Sequence, residues 1–132
     1  MIVIDASVAN KLVLDEEGHE FVREIFQNHI RNVEPVTVPD FLFYEIANTL
    51  ATKGVLSSYK VTRALTKIYR ASLNIYHCGE VEVKVATKLA KKYKTTVYDM
   101  LYAVVAKAHK TTLITADEQF VKQTGFKFVK LL

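Results

Sequence analysis

The chain has 132 residues, of which 50% are hydrophobic and 24% are charged, with 18 basic against 14 acidic side chains. This length and composition predict one globular domain over residues 1–132 and exclude a disordered chain. The basic excess is compatible with a nucleic-acid partner but does not require one.

Short apolar runs alternate with stretches of helical periodicity along the whole chain. In order, they predict a strand at 2–5, helices at 7–14 and 16–31, a strand at 35–38, a helix from about 41 to a stop at Gly54, a helix at 58–71, a strand at 73–78, helices at 80–93 and 99–109, a strand at 111–116, a short helix at 118–123 and a last strand at 127–131. Pro39 and Asp40 are typical of a helix start, and Ser57 or Ser58 is typical of a helix cap. The alternation predicts an α/β fold, a three-layer α/β/α sandwich around a central, mainly parallel five-stranded sheet.

Four acidic residues occupy related places in this pattern. Asp5 and Asp117 follow predicted strands, Asp99 begins a helix, and Glu45 lies one turn inside another helix. Taken singly, the aspartates are explained as helix caps or as charges that favour the helix dipole, and Glu45 as an exposed side chain. Taken together, they all fall beyond the carboxyl ends of parallel strands, where functional groups of such sheets gather.

Carboxylates gathered in this way repel one another. Two charges about 5 Å apart oppose each other by roughly 3 kcal/mol at an effective dielectric near 20. Divalent cations relieve this repulsion, and oxygen ligands without His or Cys favour Mg²⁺ or Mn²⁺. The histidines show no ligand spacing and are expected at the surface or at element ends: His19, His29, His77 and His109.

Three polar residues lie near these acids in the sequence. Ser7 and Thr115 are each two residues from an aspartate, and Asn48 is one helical turn beyond Glu45. They are candidates for hydrogen bonds to a carboxylate or to a metal-bound water. Capping or local backbone bonding explains them equally well.

Four stretches carry a family resemblance: IVIDASVANKL, FYEIANTL, VYDMLYAVVA and LITADEQF. They resemble, in order and over the whole chain, the four acidic motifs of PIN-domain proteins, especially the VapC-like toxins of toxin–antitoxin pairs. The resemblance implies a Mg²⁺- or Mn²⁺-dependent endoribonuclease that leaves 5′-phosphate and 3′-hydroxyl ends. It assigns acidic metal-site roles to Asp5, Glu45, Asp99 and Asp117, the first and third as direct ligands and the other two partly through water.

The same resemblance implies partners. It implies an RNA substrate, a cognate antitoxin, a homodimer, and a groove around the early helices that holds a partner. It makes Lys11, one turn beyond Ser7, a candidate for steering phosphate. Glu118 fits better as an exposed first-turn glutamate than as a fifth acid of the site.

Two patterns favour structural explanations. The lysines of residues 84–94 suit the solvated face of a helix that turns Val81, Val85 and Leu89 inward, better than an RNA track. The aromatic residues of the middle region are expected mostly in the core, and some of them instead in an apolar dimer or antitoxin groove: Phe41, Phe43, Tyr44 and Tyr59.

Cys78 is the only cysteine, so an intramolecular disulfide is excluded. We expect it to be a small hydrophobe near a strand end rather than a catalytic thiol. No signal-peptide pattern precedes Asp5, and no apolar run approaches the roughly 18 residues of a membrane span. These features predict a cytoplasmic protein without a membrane partner.

Other functions fit less well. A phosphoacceptor domain would need an acidic pair after the first strand and an aspartate after the third, where this chain has Asp5-Ala6-Ser7 and His77-Cys78. A phosphatase with an Asp-x-Asp motif fails at Ser7. The remaining alternative is a non-catalytic RNA- or protein-binding module that keeps the fold, and an intact set of four acids argues against it.

Overall fold

The structure, a computed structural model, describes residues 1–14, 17–53 and 56–132. Its elements are, in chain order, β1 (Ile2–Ile4), α1 (Ala6–Leu14), α2 (His19–Ile30), β2 (Val36–Pro39), α3 (Leu42–Thr52), α4 (Ser58–Arg70), β3 (Asn74–Tyr76), α5 (Glu80–Tyr93), α6 (Val97–Ala108), β4 (Leu113–Thr115), α7 (Glu118–Thr124) and β5 (Val129–Leu131). The predicted order of strands and helices is confirmed throughout this described part.

The five strands form one sheet in the order β3-β2-β1-β4-β5, and every neighbouring pair is parallel. The connections through α1 to α4 run outward from β1 in one direction, and those through α5 to α7 run the other way. Because such crossovers are right-handed, the two groups of helices cover opposite faces of the sheet. The predicted α/β class is therefore confirmed.

The inner strands β1 and β2 are short and apolar because they are buried on both faces, whereas the edge strands β3 and β5 are partly exposed. Val3, Ile4 and Val36 are fully inaccessible to solvent, as expected of a parallel sheet between two helical layers. On one face α6 packs against β1, β2 and β4. Its small residues Ala103 and Ala106 are buried there, which allows the helix to lie close to the sheet.

The sheet register brings two predicted site segments together. β1 and β4 are neighbours, with Val3 opposite Leu113 and Ile4 opposite Ile114. Asp5 is therefore level with Thr115 at the carboxyl edge. The connections after β1 and β4 leave in opposite directions, so this edge is the topological switch point where parallel sheets bind ligands.

Several helix boundaries differ from the predictions. Pro39 ends β2, and Asp40 does not begin α3, because its carboxylate pairs with His77 Nδ1 at 2.9 Å. α6 begins at Val97, two residues early, because the Thr96 hydroxyl caps it. Ser57 is the cap of α4 and accepts a bond from Lys60 N at 3.3 Å. The predicted helix start at 16 and the stop at Gly54 lie outside the described residues.

Two burial predictions are wrong. α5 packs through Ala86 and Ala90, so two of the three residues predicted to face inward are exposed: Val81 is 70% and Val85 41% exposed, whereas Leu89 is partly buried against the core. Tyr44 and Tyr59 are also mainly exposed rather than in the core, because α3 packs through its opposite face and α4 through Ile68.

Cys78 lies two residues beyond β3 and is half-buried. Burial, with the nearby Asp40 and Glu82 charges, raises the pKa of the Cys78 thiol to about 11, so it is protonated at neutral pH. Within the described ranges, no helix is both long enough and apolar enough to cross a membrane.

Candidate active site

One cavity at the carboxyl edge of the sheet contains all four predicted acids. It has a volume of about 290 Å³ and is lined by Asp5, Ala6, Ser7, Asn10, Glu45, Asn48, Thr49, Asp99, Tyr102 and Asp117. The acids come from four separate places: the end of β1, the first turns of α3 and α6, and the residue that precedes α7. Acidic residues that are distant in the sequence therefore line one cavity.

Asp5 is the most buried of the acids, with 8% of its surface exposed. Its Oδ1 accepts hydrogen bonds from Ser7 Oγ at 2.5 Å and from Val8 N at 3.0 Å. Burial raises the pKa of Asp5, while bonds from Ser7, Thr115 and Val8 N oppose the rise and the Asp99 charge adds to it. The carboxylate is thus held in place at an electrostatic cost.

Ser7 and Thr115 connect Asp5 to the loop after β4. Ser7 Oγ also accepts a bond from Ala116 N at 2.8 Å. The Thr115 hydroxyl, which bonds the Asp5 carboxylate, accepts a bond from Asp117 N at 3.0 Å. Both predicted polar neighbours, Ser7 and Thr115, therefore orient the Asp5 carboxylate. Thr115 contacts Asp117 only at the backbone N–H of Asp117.

Glu45 is held by a tyrosine from another helix. Tyr102 is 1% exposed, packs edge-on against Phe41 at 5.0 Å, and donates its hydroxyl to Glu45 Oε2 at 2.5 Å. Burial and the Glu45 charge raise the pKa of Tyr102 far above its usual value, so the hydroxyl stays a donor. Burial also raises the pKa of Glu45; the Tyr102 bond opposes this, and the Asp99 and Asp5 charges add to it.

Asp99 and Asp117 both take part in helix starts. Asp99 N donates to Thr96 Oγ1 at 3.1 Å, and Thr96 Oγ1 donates to Asp99 Oδ2 at 2.6 Å. Asp117 Oδ1 caps α7 by accepting from Phe120 N at 3.0 Å. Burial raises the pKa of Asp99, and the Asp117 charge adds to the rise. Asp99 and Asp117 therefore take part in helix starts and also line the common cavity.

The donor set of the cavity fits a hard cation. Its four carboxylates are coupled electrostatically. The Asp99 charge raises the pKa of Asp5 and of Glu45, the Asp5 charge adds to the rise at Glu45, and the Asp117 charge raises the pKa of Asp99. The buried Asn10 Oδ1 has no hydrogen-bond partner among the described residues, so this oxygen is available to bind a cation or its water. Oxygen donors of this kind suit Mg²⁺ or Mn²⁺ rather than zinc.

The acids line the cavity without converging on a point. Within the described residues, no three His, Cys, Asp or Glu side chains form a ready-made metal-binding group. Mg²⁺ usually keeps several waters and binds proteins through one or two carboxylates. A cation held partly through water therefore remains compatible with this arrangement.

Two candidate residues lie outside the cavity. Lys11 Nζ donates to the Glu17 carbonyl at 2.9 Å, and Lys11 lines a separate groove with Gly18 and Leu132. Lys11 is therefore not among the residues that line the cavity, since its side chain turns to the segment before α2, and its role in steering phosphate stays a prediction. Glu118 is exposed and pairs with Lys122 at 3.3 Å. Asn48 does line the cavity, beside Thr49.

Sequence reasoning missed Tyr102, Asn10 and Thr96. Tyr102 lies three residues after Asp99, on the same helical face, which was an available signal. Thr96 and Asp99 form a Thr-x-x-Asp pattern typical of a helix start. Asn10 is a polar residue within an otherwise apolar helical stripe, and its burial could not be read from spacing alone.

An all-parallel sheet with an acidic cavity at its switch point defines a class of α/β domains. The PIN domain sequence profile matches residues 2–125, and the chain belongs to the PIN domain family. No curated protein sequence matches the chain significantly.

Solved structures share this fold. PAE2754 from Pyrobaculum aerophilum has a TM-score of 0.73 and 20% identity, over 98% of this chain and 87% of its own. VapC20 of Mycobacterium tuberculosis, a toxin that cleaves the sarcin–ricin loop, has a TM-score of 0.71 and 12% identity, over 94% and 95%. A toxin–antitoxin complex from Klebsiella pneumoniae has a TM-score of 0.71 and 16% identity, over 98% and 96%. At these identities the likeness is one of fold.

Proposed function

We propose that this PIN-domain protein is a Mg²⁺- or Mn²⁺-dependent endoribonuclease and the toxin of a toxin–antitoxin pair. The observation that carries the proposal is the single cavity that receives Asp5, Glu45, Asp99 and Asp117 from four segments. Membership of the PIN family and a fold shared with a sarcin–ricin loop cleaving toxin support it.

The four carboxylates are the proposed holders of the cation. Asp5 and Asp99 would hold it directly, and Glu45 and Asp117 partly through water. The chemistry that such a cation would supply is neutralisation of phosphate charge and a water acidic enough to act as the nucleophile in hydrolysis of the phosphodiester.

The chain's own residues prepare this site. Ser7 and Thr115 fix the Asp5 carboxylate, and Tyr102 fixes Glu45 and favours its ionised form. Asn48 and Thr49 add uncharged polar groups to the cavity wall, where they can contact water or the RNA backbone. No covalent nucleophile is required, and the Cys78 thiol lies outside the residues that line the cavity.

The proposal includes partners. A Klebsiella pneumoniae protein of the same fold occurs in a toxin–antitoxin complex, which supports a cognate antitoxin for this chain. RNA is the proposed substrate. The homodimer and the cytoplasmic location stay predictions.

The decisive experiment compares Asp99→Asn with Glu118→Gln on labelled RNA, in Mg²⁺ or Mn²⁺ and in chelator. Both changes remove one carboxylate charge, but only Asp99 lies in the cavity. We expect the wild type and Glu118→Gln to cut RNA only with metal. Asp99→Asn should lose more than about 100-fold in rate, since even indirect supports of a metal commonly contribute 10- to 100-fold.

Cleavage by Asp99→Asn at the rate of the wild type would refute the assignment of this residue. If the folded wild type cuts none of a panel of RNAs with either metal, the non-catalytic binding module becomes the better explanation.

A further inference from the structure

The acidic residues of the chain are unevenly distributed. The stretch 46–79 contains five of the 18 basic residues and none of the 14 acidic ones. The rest of the chain therefore has 13 basic and 14 acidic side chains, close to balance. This stretch of 34 residues therefore carries a net charge of +5, and its central element is α4.

Four cations of α4 form a stripe on one side of the helix. Lys60, Arg63, Lys67 and Arg70 are spaced at i, i+3, i+7 and i+10, which places them within an arc of about 80° and over about 15 Å of helix. All four are exposed, and in the described part of the chain no carboxylate pairs with any of them. We refer to these four residues as the α4 stripe.

The α4 stripe borders a groove of about 800 Å³ with an apolar floor. Leu12 and Val13 of α1, Leu56, Tyr59 and Ala64 line it together with the stripe. Tyr59 is 70% exposed, and the Arg63 guanidinium lies over its ring at 5.7 Å from the centroid. Cations interleaved with an exposed aromatic ring are the combination by which proteins hold single-stranded nucleic acid.

The groove and the acidic cavity are both lined in part by α1. Asn10 lines the cavity, and Leu12 and Val13, two and three residues further along α1, line the groove. These positions are only about 3 to 5 Å apart along the helix axis. α4 also packs against α3, whose first turn carries Glu45. The cavity and the groove therefore lie on neighbouring helices, α1, α3 and α4.

From this placement we infer that the α4 stripe and its groove bind the single-stranded RNA that flanks the cleavage point. The phosphates contact Lys60, Arg63, Lys67 and Arg70, and a base stacks on Tyr59. The substrate named here rests on the proposed ribonuclease function. An acidic protein segment would match the charges equally, but the exposed Tyr59 ring and the packing of α4 against two helices of the cavity, α1 and α3, favour RNA.

The lysines of α5 provide a matched control. Lys84, Lys88, Lys91 and Lys92 are also four exposed cations on one helix. They differ in that Lys84 pairs with Glu80 and that the helix carries two glutamates in its first turn. Removing them changes the net charge by the same amount.

The test measures binding of a fluorescein-labelled 30-nucleotide oligouridine by anisotropy, in EDTA, at 50 to 200 mM NaCl. Without metal the acidic cavity repels phosphate, so binding reports on the rest of the surface. For single strands each phosphate contact contributes about 0.7 to the slope of log affinity against log salt. Lys60→Gln/Arg63→Gln/Lys67→Gln/Arg70→Gln should therefore lower the slope by about 2.8. Between 50 and 200 mM salt the wild type should lose about 50-fold more affinity than this variant.

The α5 variant, with its four lysines changed to Gln, should keep the slope of the wild type. An unchanged slope in the α4 variant, or an equal loss in the α5 variant, would overturn the inference. Circular dichroism and melting establish that both are folded. If the fourfold variant does not fold, two double variants test the inference instead: Lys60→Gln/Arg63→Gln and Lys67→Gln/Arg70→Gln. Each is expected to lower the slope by about 1.4.

Cleavage assays separate this inference from the proposed function. With Mn²⁺, the α4 variant should cut the same RNA with a raised KM and an unchanged kcat. If the wild type cuts no RNA, the proposed function fails, while the salt slopes still decide where RNA binds. If the wild type cuts RNA and the α4 variant shows the same KM, the inference alone fails.

Discussion

Tyr102→Phe removes one hydroxyl and leaves the ring packed against Phe41. That hydroxyl is buried and donates to the Glu45 carboxylate at 2.5 Å. Bonds to charged groups contribute about 1.5–3 kcal/mol, and because Glu45 borders an open cavity we expect the lower end, about 1.5 kcal/mol. With an unfolding entropy of about 2.1 cal/mol/K per residue, this corresponds to a decrease in Tm of about 5 °C for a chain of this size.

The assay is thermal melting in chelator at pH 8 and at pH 4. The Tyr102 bond favours ionised Glu45 and so opposes the rise of its pKa that burial causes. Its contribution is therefore present at pH 8 and declines as the pH falls through the raised Glu45 pKa, so the Tm difference should narrow at pH 4. Tyr98→Phe is the control, because the Tyr98 ring is 60% exposed. An unchanged Tm for Tyr102→Phe, or an equal decrease for Tyr98→Phe, would refute the reasoning.

Three further predictions concern the other acids and their supports. Because burial and charge raise the pKa of Asp99 above its ordinary value of 3.8, ionised Asp99 destabilises the metal-free fold increasingly as the pH rises from that value. In chelator the Tm of Asp99→Asn should equal or exceed that of the wild type, and the difference between the two Tm values should be larger at pH 8 than at pH 4. A large decrease in the Tm of the variant at pH 8 would indicate that Asp99 is a structural cap instead. Mn²⁺ at about 100 times its Kd should raise the wild-type Tm by about 10 °C, and the same rise in Asp5→Asn would contradict the metal assignment. Thr96→Ala should lower the Tm by about 4 °C through loss of the α6 cap, whereas Thr96→Ser should not, and a Tm equal to that of the wild type would exclude this role.

The order of elements was predictable because the inner strands are buried on both faces. Residues such as Val3, Ile4 and Leu113 are apolar without alternation, and the helices between strands keep a 3.6-residue period. The convergence of the acids followed from topology, since the carboxyl ends of parallel strands lie at one edge. Asp5 and Asp117 were therefore identifiable from their position after two strands that proved to be neighbours.

The features that could not be predicted are those that depend on which neighbouring residue a side chain packs against. The helical period gave α5 an apolar stripe, but it could not show that Ala86 and Ala90 make the contact and leave Val81 exposed. The partner of Glu45 is 57 residues away: the spacing of Tyr102 from Asp99 indicates the same helical face, but it could not show that the hydroxyl reaches Glu45. Asp40 looked like a cap and instead pairs with His77 across the sheet edge.

The capping and metal-site explanations of the acids reinforce each other. Every carboxylate of the cavity accepts a bond from a donor: Asp5 from Ser7, Asp99 from Thr96, Asp117 from Phe120 N and Glu45 from Tyr102. These bonds favour the ionised forms and fix the side chains before any cation arrives. They do not cancel the burial penalty, because the pKa values of Asp5, Glu45 and Asp99 remain raised. A bound cation would remove the remaining penalty, so local capping reduces the reorganisation that metal binding requires.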